Sequence, residues 1–221
     1  MTRRSRRLLT TATAGVTAAL LLAGCGGGDG GDSDSNGKIA GADTGSSTSA
    51  SPSASASEAE SGRPKITLPS DVTDKYEGWK TGDATKDAVL ADTAGRIDAI
   101  NDAILRGDTG APGLSFYYKD KGLTQAIAWV QAYLDSNLSF TGTTRYYAPK
   151  VTLSGDATAS VVYCSDESKG FNKNRKTGKV DKSPSGQSPY VLYNTRLEKN
   201  KKGVWQTSNL ISKRGDKSCA G

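Results

Sequence analysis

Residues 83–107, DATKDAVLADTAGRIDAINDAILRG, decide the fold class because they predict the first long helix of the chain. Apolar residues recur there at spacings of three and four, which places them on one helix face. They are Leu90, Ala94, Ile97, Ile100 and Ile104. Asp83 is a good N-cap, because its short side chain can accept hydrogen bonds from the first free amides of a helix. We expect the helix to begin after Asp83 and to end at Gly107.

The opposite side of this predicted helix is polar and carries opposite charges four residues apart. Asp92 with Arg96, and Asp102 with Arg106, are therefore expected to form ion pairs on the solvent-facing side. Asp98 lies on the same side, and no apolar setting is evident that would raise its pKa. The chain has no histidine, which excludes a Ser-His-Asp triad, a Cys-His pair and a histidine metal site. No catalytic residue, metal or cofactor is predicted.

The rest of the domain predicts one more helix and then strands. The helix spans residues 122–137, and its apolar stripe consists of Leu123, Ile127, Val130 and Leu134. Alternating apolar and polar residues then predict four strands. They lie at residues 146–153, 157–165, 190–198 and 204–213. This order indicates an α+β fold, with N-terminal helices packed on a curved antiparallel sheet of about four strands. The states of residues 63–82 and 114–118 stay open.

The N-terminus has the layout of a secretory signal. Arginines near the start precede 17 residues without charge, 8–24. LAGC at residues 22–25 resembles the bacterial lipobox, in which the cysteine sulfur carries a diacylglyceryl group and the chain is cut just before it. The resemblance implies a signal peptide over residues 1–24 and a lipid anchor at Cys25, on the extracytoplasmic face of the cell membrane. A signal peptide with an incidental cysteine is the alternative, and SRRLL at residues 5–9 leaves the twin-arginine export route open.

A tether is predicted after the anchor. Residues 26–62 consist mostly of Gly, Ser, Ala, Asp and Thr, with Ile39 as the only large apolar residue. Such a segment buries too little apolar surface to offset the entropy lost on ordering, so we expect residues 25–62, with the lipidated Cys25, to be a disordered spacer. Residues 63–221 then form a single folded domain, which is long enough for one hydrophobic core.

Two cysteines remain once Cys25 carries lipid. Cys164 lies in the second predicted strand, and Cys219 lies near the C-terminus. Outside the reducing cytosol such a pair is expected to form a disulfide, which ties a strand in the middle of the domain to the end of the chain. Two unpaired thiols are the alternative. Two cysteines without a histidine are too few ligands for a structural metal site.

Positive charge is concentrated in the C-terminal half of the domain. Residues 139–221 have 15 Lys and Arg against 6 Asp and Glu, whereas residues 63–138 have 9 against 11. A cluster of cations in the predicted loop between strands two and three is the candidate anion-binding site. It consists of Lys173, Arg175, Lys176 and Lys179. Anionic lipid headgroups or wall phosphate polymers are the expected partners, and a solvated loop is the alternative. No recognition motif for nucleic acid is evident.

Several motifs within residues 63–221 carry a resemblance to known proteins. They are LPSDV at 68–72, WKTGD at 79–83, TRYY at 144–147, VYC at 162–164, VLYN at 191–194 and GVWQ at 203–206. The order of helices and strands resembles the NTF2-like (cystatin-like) α+β cone. The whole chain resembles uncharacterised actinobacterial surface lipoproteins of the Streptomyces type. That group has no assigned activity, so the resemblance implies no catalytic residue.

An NTF2-like cone implies an internal pocket, and aromatic side chains are available to line it. The candidates are Trp129, Tyr146 and Tyr193, with core packing as the alternative role. We expect a lipid-anchored, extracytoplasmic, non-enzymatic binding or interaction module, which docks on anionic envelope components or on an unidentified protein. The alternative is a small-ligand-binding or enzymatic pocket that uses tyrosine hydroxyls and a carboxylate.

Overall fold

The computed structural model describes residues 62–183 and 186–220. The predicted signal peptide, Cys25 and all but the last residue of the predicted tether lie outside the described residues. Within the described residues the chain is α+β, as predicted, with three helices and a mixed sheet of six strands. None of these helices combines the length and the apolar character needed to cross a membrane.

The helices begin where the sequence supplies capping groups. They are α1 (Ala84–Arg106), α2 (Pro112–Tyr117) and α3 (Asp120–Asp135). The carboxylate of Asp83 accepts hydrogen bonds from the amides of Thr85 and Lys86, and Gly107 ends α1 in the left-handed conformation. Both ends of α1 are therefore as predicted. Residues 114–118, whose state the sequence left open, fall largely in α2, a short helix that starts with a proline.

The sheet has one parallel pair of strands. Its members are β1 (Val72–Tyr76), β2 (Leu138–Leu153), β3 (Thr158–Asn174), β4 (Val180–Asp181), β5 (Tyr190–Lys199) and β6 (Trp205–Arg214). The order across the sheet is β1-β2-β3-β5-β6, and β4 pairs with β3. β1 runs parallel to β2, and the remaining pairs of the described strands are antiparallel.

The prediction of about four strands misses the two shortest. β1 reads VTDKY, in which polar residues outnumber apolar ones, and β4 has only two residues. Neither is long enough to show a clear alternation. The sequence also ends the second strand at Ser165, whereas β3 continues to Asn174 because it pairs with residues 138–143 of β2. A stretch assigned to a loop is therefore part of the sheet.

Two apolar clusters fill the space between the helices and the sheet. In one cluster Ile104 of α1, Leu114 of α2 and Val130 of α3 pack together. In the other cluster Leu90 of α1 packs with Trp205 and with residues of the central strands. Because α1 contributes to both, it connects the helical layer to the sheet. Its predicted apolar face is largely the buried face.

The expected solvent-facing ion pair between Asp92 and Arg96 of α1 is wrong. Both side chains are buried, not solvent-facing, and they do not pair with each other. The face that α1 buries is therefore wider than its apolar stripe, because partners from other elements satisfy these two charges. Asp102 and Arg106 do form the expected ion pair, at 2.8 Å.

Cys164 and Cys219 form a disulfide, with their Cα atoms 5.5 Å apart. Successive strand residues point to opposite faces of a sheet. Tyr163 packs toward the helices, so Cys164 lies on the other face. There the hydroxyl of Tyr147 also donates a hydrogen bond to the carbonyl oxygen of Cys219. The C-terminal residues are thus held against the face of the sheet that the helices leave open.

Candidate functional site

The basic cluster predicted from the sequence lies on a β-hairpin, not on an irregular loop. β3 ends at Asn174, and β4 returns alongside it after a tight turn. The side chain of Asn174 accepts hydrogen bonds from the amides of Lys176 and Thr177. Gly178 has a φ of 70°, a left-handed conformation that glycine adopts without strain. The hairpin therefore presents its lysines from an ordered, hydrogen-bonded turn.

Two of the four predicted cations have structural roles. The amine of Lys173 lies 2.8 Å from a carboxylate oxygen of Asp71, and it lowers the pKa of that carboxyl. Arg175 donates hydrogen bonds to the carbonyl oxygens of Leu138, at 2.9 Å, and Leu105, at 3.3 Å. Both side chains hold the hairpin to the rest of the domain. They are therefore not available to an external anion without loss of these contacts.

The other two cations face solvent. Lys176 and Lys179 are exposed, and no ion pair among the described residues includes either of them. Lys179 and Lys182 line a groove of about 780 Å³ at the hairpin and the start of β2, with Asp181 as the acidic residue of the lining, whereas Lys176 lies outside the lining. The amide side chain of Asn172 also lines it. Ammonium and amide groups are suitable donors to phosphate or carboxylate oxygens.

A second groove, of about 340 Å³, lies on β1, β2 and β3, and its lining has more charged residues of both signs. Arg145 lines it, but this guanidinium lies 3.1 Å from Glu77 and 3.5 Å from Asp166, and it stacks over the ring of Tyr147. The surrounding carboxylates therefore already compensate its charge. Lys75 and Lys169 also line this groove; both are exposed and take part in no ion pair among the described residues. The two grooves therefore differ in the carboxylates that accompany the cations, which are two in the smaller groove and one in the groove at the hairpin.

The aromatic candidates for an internal pocket do not all come together. Tyr146 and Tyr193 both contact Tyr163, in an edge-on and a stacked arrangement respectively, with ring centroids 6.2 and 5.0 Å apart. Trp129 lies on α3 instead, 56% exposed, with its ring against Tyr133. Neither groove described above is lined by these candidates. Tyr146 and Tyr193 therefore pack as core residues, while Trp129 lies outside that cluster.

A buried arginine occupies the interior between α1 and the sheet. Arg96 is 3% exposed and donates hydrogen bonds to the hydroxyls of Tyr118, at 3.2 Å, and Tyr163, at 2.5 Å. Its guanidinium also lies within 6 Å of both ring centres, at 5.6 and 5.9 Å, where a cation is attracted to the ring face. Arg96 thus fixes two tyrosines in place and fills space that a ligand would need.

A pair of carboxyl groups, Asp74 and Asp98, lies between β1 and α1. The sequence analysis missed Asp74, and its expectation of an unperturbed Asp98 on the polar side of the helix is wrong. The Tyr76 hydroxyl donates a hydrogen bond to Asp98, at 2.6 Å, and the Asn101 amide donates one to Asp74, at 2.7 Å. Burial raises the pKa of Asp74 to about 7 and also raises that of Asp98. Val72, Asp74 and Tyr76 lie on one face of β1, but this shared face is evident only once residues 72–76 are recognised as a strand.

A second contact between a carboxylate and a tyrosine lies further along the sheet. Glu167 accepts a hydrogen bond from the hydroxyl of Tyr193, at 3.4 Å, and pairs with Arg214 at 2.7 Å. This arrangement contains the groups that the enzymatic alternative requires, but neither groove includes them. Among the described residues, no group of three or more Cys, Asp or Glu side chains is close enough together to hold a metal ion.

No protein-family model and no curated protein matches the chain in sequence. Solved structures do resemble it. A ketosteroid isomerase-like protein from Erwinia carotovora atroseptica is 18% identical, with a TM-score of 0.41 over 58% of this chain and 95% of that one. An NTF-2-like protein of unknown function from Shewanella oneidensis is 15% identical, with a TM-score of 0.35 over 56% and 98%.

A domain of unknown function with a cystatin-like fold, from Nostoc punctiforme, gives a third likeness. It is 15% identical, with a TM-score of 0.38 over 62% of this chain and 80% of that one. These fold names are those that the sequence resemblance implied. These TM-scores are low, so the α+β assignment depends on the strand register and helix packing of this chain itself.

Proposed function

We propose that this protein is a lipid-anchored binding module outside the cell membrane, and that the groove at the β3–β4 hairpin takes a phosphate-bearing component of the envelope. One observation carries the proposal. Lys179 in the lining of a groove of about 780 Å³ and Lys176 on the adjoining hairpin turn are exposed, and no ion pair among the described residues includes either of them. That lining contains one carboxylate, whereas the lining of the smaller groove contains two. The proposed function is a binding role, which is supported by the packing of Tyr146 and Tyr193 on Tyr163 and by the hydrogen bond from Arg96 to Tyr163 in the interior.

The anchor and tether of this proposal come from the sequence. A diacylglyceryl group on Cys25 provides two acyl chains, which are enough for stable attachment to a bilayer. Residues 26–62, as a flexible coil of 37 residues, span roughly 30–37 Å. In this proposal a tether of that length gives the domain access to the wall polymer as well as to lipid headgroups. Each lysine near an anionic surface contributes about 1 kcal/mol, and the attraction decays over about 8–10 Å.

The test measures binding of the mature chain, from residue 25 with Cys25→Ser, to isolated cell wall and to phosphatidylglycerol vesicles. Lys176→Gln with Lys179→Gln should weaken binding to one of these targets roughly 30-fold, since two lysines lose about 1 kcal/mol each. Lys201→Gln with Lys202→Gln, on the exposed β5–β6 turn, removes the same charge and should change binding by less than about threefold. The wall and vesicle arms distinguish the polymer from the headgroup.

Three results would contradict the proposal. Equal losses in the two double variants would mean that net charge attracts the protein and that the hairpin has no special part. Binding that is insensitive to the hairpin substitutions would remove the groove from consideration. Absence of binding to either target would favour the alternative function, a pocket that uses the Tyr193 hydroxyl and Glu167, which are in hydrogen-bond contact.

A further inference from the structure

β1 is the edge strand of the sheet, and a small number of contacts hold it. Among the described strands it pairs only with β2, over the five residues Val72–Tyr76. Its inward side carries Asp74 and Tyr76, which face Asp98 and Asn101 of α1. The contact between this strand and the helix therefore depends on polar groups, two of which are carboxyls.

We infer that Asp74 and Asp98 share one proton across the contact between β1 and α1, and that this proton holds the edge strand on the helix. When the proton is lost, two carboxylates face each other in a partly buried site, and β1 loosens from the domain. The device makes the attachment of β1 depend on pH.

The hydrogen bonds identify the oxygen that carries the proton. One oxygen of Asp74, Oδ2, accepts from the Asn101 amide, and one oxygen of Asp98, Oδ1, accepts from the Tyr76 hydroxyl. The second oxygen of Asp74, Oδ1, is buried and has no hydrogen-bond partner. A carboxylate oxygen left this way loses its hydration without compensation. A proton on Oδ1 turns it into a donor toward the Asp98 carboxylate.

The surroundings offer no positive charge to stabilise two carboxylates. Titratable and polar groups approach the pair from four elements. They are Tyr76 of β1, Asn101 of α1, Tyr117 of α2 and Tyr146 of β2. No ion pair among the described residues includes Asp74 or Asp98. Like charges at close range in a partly buried site favour retention of one proton.

The direction of the pH effect follows from linkage. The pKa of Asp74 is raised from 3.8 to about 7, mainly by burial, and Asp98 raises it further. At a pH between these two pKa values, Asp74 is protonated when β1 is attached to α1 and ionised when β1 is released. The attachment of β1 therefore weakens as pH rises from about 4 through 7, and it changes little at higher pH. From pH 5.5 to 8.5 the equilibrium for opening of β1 should increase roughly 30-fold.

The experiment measures amide hydrogen exchange of β1 in the mature chain, from residue 25 with Cys25→Ser, at pH 5.5 and 8.5, corrected for the intrinsic exchange rate. In the unsubstituted domain the amides of residues 72–76 should open roughly 30-fold more at the higher pH. Asp74→Asn should abolish this difference, because an asparagine amide donates to Asp98 at every pH. Asp102→Asn, at the surface pair with Arg106, is the control and should keep the difference.

Two outcomes would overturn the inference. One is equal pH dependence in Asp74→Asn and in the unsubstituted domain, and the other is loss of the pH dependence in Asp102→Asn. If Asp74→Asn does not fold, Asp98→Asn serves instead, since its amide can donate to Asp74 and it also removes one of the two charges. Carboxyl NMR of the unsubstituted domain gives a second readout. A titration of Asp74 near pH 4 would exclude the shared proton.

Discussion

Asp92 and Arg96 carry opposite charges into the interior, and each is satisfied by a partner from a different element. The carboxylate of Asp92 pairs with Arg63, at 2.8 Å, and accepts a hydrogen bond from the backbone amide of Trp205, at 2.9 Å. Arg96 instead binds two tyrosine hydroxyls. Asp92 therefore connects α1 both to the start of the described chain and to β6. A single side chain fixes three parts of the molecule.

We predict that Asp92→Ala destabilises the domain by about 3–5 kcal/mol, because it breaks a buried charge pair and leaves the Trp205 amide without its acceptor. Asp102→Ala, which removes the partner of Arg106 near the surface, should cost about 0.3–0.5 kcal/mol. Urea unfolding of both variants measures the two values. Similar losses in the two variants would show that the Asp92 contacts contribute no more than an ordinary surface pair.

At the scale of the elements, the long strand β3 organises the sheet. It pairs with β2 and β5 along most of its length and with β4 at its end. Its central residues face the helices on one side and the C-terminal residues on the other, because Tyr163 and Cys164 are adjacent. The disulfide therefore joins the middle of the sheet to the last residues of the chain, across a sequence separation of 55.

We predict that Cys164→Ala with Cys219→Ala lowers the free energy of unfolding by about 4 kcal/mol, because a loop of this length is no longer closed in the unfolded chain. Urea unfolding with and without a thiol reductant provides the measurement. Reductant should lower the unfolding midpoint of the unsubstituted domain to that of the double variant and leave the variant unchanged. A midpoint unaffected by both treatments would contradict the stabilising role of the bond.

At the scale of the whole molecule, charge is distributed along the chain in a way that suits an anchored module. Residues 26–62 carry six acidic residues against Lys38, whereas residues 139–221 carry the excess of Lys and Arg. Under the proposed function, this acidic segment would be repelled by an anionic membrane. The proposal assigns the attraction to anionic groups to the basic hairpin.

We predict that cells given an alkyne fatty acid label this protein at Cys25 and that the labelled protein sediments with membranes. Cys25→Ser should lose both the label and the membrane association, because the proposal makes the two acyl chains on Cys25 the anchor. Cys164→Ala with Cys219→Ala is the matched control and should keep both. Retention of label and membrane association by Cys25→Ser would place the anchor elsewhere.

Apart from the disulfide, the structural features that the sequence determined are local in origin. Asp83 and Gly107 bound α1 because capping depends on residues next to the helix ends, and the α+β class follows from periodicities of 3.6 and 2. The disulfide between Cys164 and Cys219 was also predictable, since few cysteines were available to pair. The basic cluster was found by composition alone, but composition could not separate Lys176 from Lys173, which Asp71 binds.

Only the tertiary structure decided which charges are buried and which carboxyls meet. Asp92 and Arg96 have the spacing of a surface pair, and their burial depends on Arg63, Trp205, Tyr118 and Tyr163, which are distant in the sequence. Asp74 and Asp98 likewise come together only when β1 adds to the sheet beside α1. The pattern of apolar and polar residues along the chain determines the hydrogen bonding within a helix or strand. The environment of a side chain depends on long-range packing, which the spacing of residues along the chain does not encode.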